Sequence, residues 1–509
     1  MPAPRRPALA WSGARLASVG LALVLLGQAA LVMNVREFFT DDAWISLRYA
    51  LRFAEGDGPV WNAGGPVVEG YSNPLLVFAE ALGLRLGLDA WALARAQGVL
   101  AAVVTVVVVG TVGRRVLGRG GAVLAAAVVG LSPAMAYWSV GGLETAAYTL
   151  GVTTAVLLLA TDAGPRPCLA AIAFAVLPWL RPEALGVILP VVVVSEAGDL
   201  WRGDQRPRAL RRLAWLLGPA LLSAVALEGL RLALYGHLLP NSVLYKSGNG
   251  KLFSVTWRFL GQTWPALPFA AVGLVALRGR ARLVAVPALV ALVGSPFFLN
   301  SVNDFSRLLL PTWPAWAVLT AAGIGTVATR LCGGRSNGRF PLVAGALGLL
   351  VVGALALATP ASIQATGSLA HRYATCKAGT RREAADWLKA NLGPNDVYAI
   401  ADAGLVPYRA DGTALDIFGL NEASLQKDPH VPAPRRAKQV LKAKPAWLVL
   451  TSKEFGSLAP HYKVERAIVA RKEFKDYQLV QEVDGHVCGF NLRIYRRQAA
   501  PPPAVEPVP

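Results

Sequence analysis

The strongest constraint on this chain is a series of apolar runs, most of them about as long as a bilayer is thick. A helix needs roughly 20 apolar residues to cross the hydrocarbon core. Segments of that character fall near 15–34, 91–113, 120–138, 143–161, 167–181, 183–197, 213–234, 260–277, 282–299, 308–329 and 341–360. They predict a polytopic α-helical membrane protein with about 11 transmembrane helices. Only 16% of the 509 residues are charged, where soluble domains carry about a quarter. A net charge of +19 would suggest nucleic acid as a partner. The arginines instead lie in short clusters between apolar runs, the spacing of cytoplasmic loops under the positive-inside rule. That pattern points to a lipid bilayer and no nucleic acid.

Orientation follows from the same clusters. With Arg5, Arg6 and Arg15 inside, crossing span by span also places Arg114, Arg115 and Arg119 inside. The same holds for Arg166, for Arg202 to Arg212, for Arg278 to Arg282 and for Arg330 to Arg339. The segments left outside include TDDAWISLRYA, YWSVGGLET, LRPE, YGHLLPNSVLYKSG and LNSVNDFSR. The first apolar run is long for a cleaved signal peptide and lacks a strong cleavage site, so an uncleaved span is expected. NPLLVFAEALGLRLG is expected to form a helix lying at the outer surface. The 167–181 and 183–197 pair is tight, and either member could be a shorter, broken element.

Composition changes after about residue 362, so the expected organisation is 1–362 in the membrane and 363–509 as a small α/β domain outside it. TRREAADWLKANLG reads as a helix with Ala384, Trp387 and Leu388 on its apolar face and Gly393 past its end. DVYAIADAG and AWLVLTS read as strands, and FKDYQLVQEVDGHVCGFNLRIYRR as two strands around Asp484-Gly485. The proline-rich end, PPPAVEPVP, reads as a disordered tail. Cys376 and Cys488 fall in this outer unit, where either a disulfide or two buried thiols fits. Cys168 and Cys332 fall at inner loops or span ends and are expected to be free. No cysteine spacing suggests zinc.

Chemistry must then come from carboxylates and cations at the outer face. Asp41 and Asp42 follow the first span directly. Adjacent carboxylates at a membrane boundary are costly unless solvated or used. Thr40, Asp41 and Asp42 also suit a helix cap; a cap can fix one acid and leave the other free. Trp61, Asn62, Glu69, Tyr71, Ser72 and Asn73 are residue types that bind carbohydrate, or an ordinary interfacial aromatic belt. Glu144, Arg181, Glu183, His237, Lys246, Asp304 and Arg307 occupy the other outer turns. One such charge is usually an end-of-span snorkel; seven from five turns point to a shared polar cavity. Its cations would suit a phosphate, arginine bidentately and lysine as a point charge.

At these residues the chain resembles a known group. FFTDDAWISLRYALRFAEGDGPVWNAGGPVVEGYSNPLL is similar to the first outer loop of bacterial GT-C membrane glycosyltransferases. It looks closest to the terminal arabinofuranosyltransferases of mycobacterial cell-wall synthesis and their broader relatives. GGLET, LRPE, LPNSVLYK and NDFSRLLLP resemble later motifs of that group in order, and DAGLVPYRADGTALDIFGLNE its outer domain. The resemblance implies sugar transfer, arabinofuranose among the candidates, from a polyprenyl-phosphate donor to a glycan, lipid or protein acceptor. It implies a multi-pass protein of the bacterial plasma membrane, with its site and C-terminal domain extracytoplasmic. Asp41 or Asp42 would contact the acceptor hydroxyl. Lys246, Arg307 and Arg181 would hold the donor phosphate. Glu69, Tyr71, Asn73, Glu144, Glu183, His237, Asn241 and Asp304 would line the substrate site. No cofactor is required, although a divalent metal could share the work of Asp41 and Asp42. A secondary transporter and a lipid-linked polymer ligase are the alternative readings.

Overall fold

The structure is a computed structural model that describes residues 13–161, 166–202, 204–246, 254–298, 304–423, 431–485 and 488–498. The proline-rich tail lies outside the described residues. The chain begins with α1 (Gly13–Asn34), then two shorter helices, α2 (Asp41–Glu55) and α3 (Pro74–Arg85). The bundle continues with α4 (Ala90–Thr111), α5 (Arg114–Gly130), α6 (Pro133–Ser139), α7 (Thr145–Leu159), α8 (Arg166–Leu180), α9 (Ala184–Leu200) and α10 (Arg206–Tyr235). After the short α11 (Asn241–Lys246) come α12 (Ser254–Thr263), α13 (Leu267–Ala276), α14 (Ala285–Phe298), α15 (Trp313–Leu331) and α16 (Phe340–Leu357). Each apolar segment of the sequence is thus helical.

Fewer of them qualify as spans than the eleven expected. Among the described residues, α1, α4, α10 and α16 are long and apolar enough to cross a membrane, and two bent pairs raise the number to six. Length and breaks explain most of the difference, and the 19-residue α15 falls short because small and polar residues dilute its apolar character. A 15-residue helix such as α7 or α8 reaches about 22 Å, short of the ~30 Å hydrocarbon core. The pair α5 and α6 bends by 59° where Ser132 caps a new helix that starts on Pro133. The pair α12 and α13 bends by 92° around Pro265, which cannot continue a helical hydrogen-bond ladder. Of the spans that remain, α16 is apolar on every side. In α16 only Gly348, Val351 and Leu355 are buried, while Leu342, Leu349, Leu350 and Leu357 are exposed, as expected of a lipid-facing helix.

The C-terminal unit opens with α17 (Ile363–Arg372), one π-helical turn (Tyr373–Ala378) and α18 (Gly379–Asn391). A five-stranded mixed sheet follows, ordered β2-β1-β3-β5-β4. Its strands are β1 (Val397–Ile400), β2 (Thr413–Asp416), β3 (Trp447–Ser452), β4 (Tyr477–Val483) and β5 (Asn491–Arg497). The first three pair in parallel, and β3, β5 and β4 pair antiparallel. Short helices α19 (Leu405–Ala410), α20 (Ala433–Lys442) and α21 (Lys463–Val469) connect them. One apolar core joins this sheet to the segment between α1 and α4: Ile45, Tyr49, Trp61, Val68 and Val77 pack with Leu388, Tyr398, Val406, Val449 and Ile494. Buried Arg48 reinforces the junction, donating to the carbonyls of Trp61, Pro407 and Gly412 and to Asn62.

Cys376 and Cys488 form a disulfide, with Cα atoms 6.1 Å apart and a sequence separation of 112. It ties the π-helical turn to the approach of β5. Such a bond stabilises chiefly by restricting the unfolded chain, typically by about 2–4 kcal/mol. Replacing both cysteines with alanine is expected to lower the thermal midpoint of the C-terminal unit by several degrees. An unchanged midpoint in a calorimetric scan would refute this.

Candidate active site

The geometry around Asp41 begins with a close approach. Thr40 takes the extended conformation of a helix N-cap, but its hydroxyl makes no capping bond. The cap expected of Thr40 is therefore one of backbone only. Asp41 is gripped from the other side: the Leu405 N–H donates to its Oδ1 at 2.9 Å, and Arg381 Nε lies 3.4 Å from the same oxygen. Its own N–H donates to the Tyr373 hydroxyl at 2.7 Å. Tyr373 sits in the π-helical turn, a distortion common at functional sites. Its ring packs edge-on against Phe38, which stacks on Tyr137.

These contacts separate the two acids. Asp41 has a side chain 13% exposed, and burial raises its pKa to about 6. Arg381 opposes that rise, while Asp402 adds to it. Its Oδ2 accepts no hydrogen bond among the described residues. Asp42, one residue on, is 54% exposed and lies 4.0 Å from Arg307. One acid is fixed and poised near neutrality; its neighbour is solvated and faces a cation.

Glu144 organises the opposite wall. It accepts from Arg181 at 2.6 Å, from Arg307 at 2.8 Å and from Asn73 at 3.0 Å. Burial alone would push its carboxyl up, but Arg307 and Arg181 outweigh burial and hold it at about 2. Arg181 has a second partner, Glu183, at 2.5 Å. Arg307 also donates to the Thr145 hydroxyl and sits over the Trp138 ring. Phe305 and Ser306, just before it, both have φ near +50°. Non-glycine residues pay about 1–3 kcal/mol for such conformations, which persist only where the surroundings impose them. Here they turn the chain so that Arg307 points back at Glu144.

A cavity of about 260 Å³ lies between the two walls. The bundle supplies Asp41, Asp42, Tyr71, Asn73, Glu144 and Arg307. The C-terminal unit supplies Asp402, Asp416, Phe418 and Tyr462. Asp402 accepts from Arg381 and from the Tyr462 hydroxyl through Oδ1, and its Oδ2 is buried without a partner. Phe418 and Tyr462 meet edge to face at 4.9 Å. Asp416 is spent on its own turn, accepting from the Phe418 and Asn421 backbones and the Asn421 amide.

Residues 370–499 match a family model described as a domain of unknown function (DUF8728). No curated protein matches the chain. Among solved structures, ArnT from Cupriavidus metallidurans bound to undecaprenyl phosphate is similar, with TM-score 0.63 and 14% identity over 94% of this chain and 97% of that one. Its apo state gives 0.60, also at 14% identity, over 94% and 98%. The Archaeoglobus fulgidus oligosaccharyltransferase tethered with an acceptor peptide gives 0.57 at 12% identity, over 87% of this chain and 70% of that one. The chain has the GT-C fold.

Within this GT-C fold the candidates named from sequence separate into two sets. Asp41, Asp42, Tyr71, Asn73, Glu144 and Arg307 line the cavity. Arg181 and Glu183 stand behind Glu144 as its support. Glu69 is buried in a pair with Arg231 at 3.0 Å and holds the first loop to α10. Asn241 donates to the Leu420 and Glu422 carbonyls and so braces the C-terminal unit. His237 bonds the Leu239 carbonyl, and Asp304 is exposed one turn before Arg307, its carbonyl accepting from Trp138. None of these last four lines the cavity. Lys246 ends α11, but its side chain lies outside the described residues. Trp61 and Asn62 are structural, not a sugar platform: Trp61 is buried, and Asn62 pairs with the Ala414 backbone.

Arg381 and Tyr462 had no local signal in the sequence, and Asp402 appeared there only as the first residue of the DAGLVPYRADGTALDIFGLNE motif. Among the described residues no group of three or more His, Cys, Asp or Glu could hold a metal. Asp41 is engaged by Arg381 and a backbone N–H, while Asp42 lies near Arg307.

Gly404 makes the Asp41 clamp feasible. A Cβ there would meet the Asp41 carbonyl oxygen at 2.1 Å and its Cγ at 2.6 Å. Gly404→Ala is expected to push Asp41 off position and to slow any reaction that uses this carboxylate about 10²-fold, the cost of a misplacement of about 1 Å. Wild-type turnover in that variant would show that the clamp is dispensable.

Proposed function

We propose that the protein is a glycosyltransferase of the bacterial plasma membrane, moving a sugar from a polyprenyl-phosphate donor to an acceptor hydroxyl at the extracytoplasmic face. The observation that carries this reading is one cavity with a fixed carboxylate near pKa 6 on one wall and Arg307 on the other. Asp41 accepts the proton of the acceptor hydroxyl. The acceptor oxygen bonds to the anomeric carbon as the bond from that carbon to the phosphate oxygen breaks. The electron pair leaves with the polyprenyl phosphate, whose growing charge is met by Arg307. Glu144 and Glu183 together match Arg181 and Arg307 in charge, so the phosphate is met by Arg307 as a local, cavity-lining cation and not by a surplus of positive charge. Asp42, beside Arg307, orients the acceptor.

Two further features support the assignment. ArnT, of the same fold, was crystallised with undecaprenyl phosphate, the class of leaving group proposed here. The wall made by Asp402, Phe418 and Tyr462 combines an unpartnered carboxylate oxygen with two aromatic rings, a surface suited to a hydroxyl-rich acceptor, whether glycan, glycolipid or glycoprotein. The first-loop resemblance makes arabinofuranose the first sugar to test.

Purified full-length protein, incubated with a panel of synthetic polyprenyl-phosphate sugars and cell-envelope acceptors, is expected to consume one donor and release polyprenyl phosphate. Movement of an intact sugar across vesicles without donor cleavage would replace this reading with transport.

A further inference from the structure

A second site lies at the other end of the bundle. Glu144 stands at one end of α7, and Leu158 and Leu159 at the other, about 20 Å away. Around those leucines is a cavity of about 760 Å³, the largest described among the principal cavities. Arg208, Arg211, Arg212 and Arg280 line it, with Glu196 and Asp199 as the acids. Arg212 lies 3.7 Å from Glu196 and 3.6 Å from Asp199, and Arg280 lies 3.5 Å from Glu196. Those two cations balance those two acids. Arg208 and Arg211 make no ion pair among the described residues, so the cavity keeps about two positive charges for an anion from outside.

The cavity does not end at the arginines. Trp215, 66% exposed, borders it and also borders a second cavity of about 600 Å³. That second cavity is a groove between α8 and α10. Cys168, Ala171, Ile172, Ala175, Val176 and Trp179 form its α8 side, at the spacing of one helix face. Trp215, Pro219 and Ser223 form its α10 side, and Arg208, Arg211 and Arg212 continue the same stripe toward the helix start. From Cys168 to Trp179 the groove runs roughly 16 Å, about half the hydrocarbon thickness of a bilayer. A basic pocket therefore opens onto an apolar channel one leaflet long.

We propose that this paired site binds an anionic phospholipid from the leaflet opposite the catalytic cavity. Its phosphate lies between Arg208 and Arg211, and one acyl chain lies along α8 and α10 against Trp215. Charge selects the headgroup, and the groove selects a lipid over a free phosphate. The site shares no lining residue with the catalytic cavity, so it stands or falls independently of the transfer reaction.

The test is quenching of tryptophan fluorescence in the full-length protein in non-ionic detergent, with phosphatidylglycerol brominated on its acyl chains. Saturable quenching is expected, and replacing both tryptophans that line the groove, Trp179 and Trp215, with phenylalanine should remove the saturable part. Arg208→Gln combined with Arg211→Gln, both exposed positions, should raise the half-saturating concentration about 10–30-fold without changing the melting temperature. Brominated phosphatidylcholine acting at the same concentration would overturn the headgroup claim. Displacement of the brominated lipid by glycerol phosphate alone would overturn the lipid in favour of a free-phosphate site. An unchanged titration in the double variant would overturn the site.

Discussion

Asp41→Asn is expected to lower transfer about 10²–10⁴-fold, the usual contribution of general-base assistance, with donor binding retained. Asparagine keeps the side-chain shape and can still accept from Leu405, so the helix start should hold; a melting curve near that of the wild type checks this. Asp42→Asn should cost less, because Asp42 is solvated and lies near Arg307 without a close bond. Full turnover in both variants would remove the proposed mechanism. The pH profile gives an independent readout. A base must be deprotonated to act, and burial sets Asp41 near 6, so kcat/KM should climb as pH rises through about 6. Arg381 lowers that value. Arg381→Gln should therefore shift the climb to higher pH, a displacement that a merely structural role for Arg381 would not produce.

Asp41 also shows where sequence reasoning reaches and where it stops. Two carboxylates just past an apolar run are visible in FFTDDAW, and so is the α2 helix, because both are local patterns. Apolar length located the bundle helices for the same reason, although it overcounted spans where helices are short or bent. The strands β1, β3, β4 and β5 were legible from their apolar and β-branched runs. Strand β2 was not: TALD is four residues long and holds its place by pairing with β1 and with the distant Asn62 side chain. The partners of Asp41 were invisible. Leu405 is 364 residues away, and Arg381 sits in TRREAADW, where it reads as one more charge on an amphipathic helix. Nor could spacing show that Trp61 is buried under the C-terminal unit instead of facing a sugar. Such assignments depend on which surfaces the fold brings together, and no periodicity records that.

Removing the charge of Glu144 is expected to cost stability as well as rate. The side chain is 3% exposed and serves two arginines and Asn73. Breaking a buried ion pair by deleting one partner typically costs about 3–5 kcal/mol, because a charge is left without compensation. In Glu144→Gln the burden falls unevenly. Arg181 keeps Glu183 at 2.5 Å, whereas the carboxylate left to Arg307 is Asp42 at 4.0 Å. The loss should lie near 3 kcal/mol, read as a lower thermal midpoint in detergent. Linkage gives the same network a pH signature. The carboxyl sits at about 2 in the folded protein against an ordinary 4.5, so its contribution is complete above about pH 4.5 and is lost as pH falls toward 2. The Gln variant should lack that acid limb. Adding Arg307→Gln to Glu144→Gln separates the two roles of the cluster. The double variant no longer buries an unpaired cation, so stability should partly return, while turnover should stay low because the phosphate has lost its arginine. Recovery of both together would mean that Arg307 serves the fold and not the leaving group.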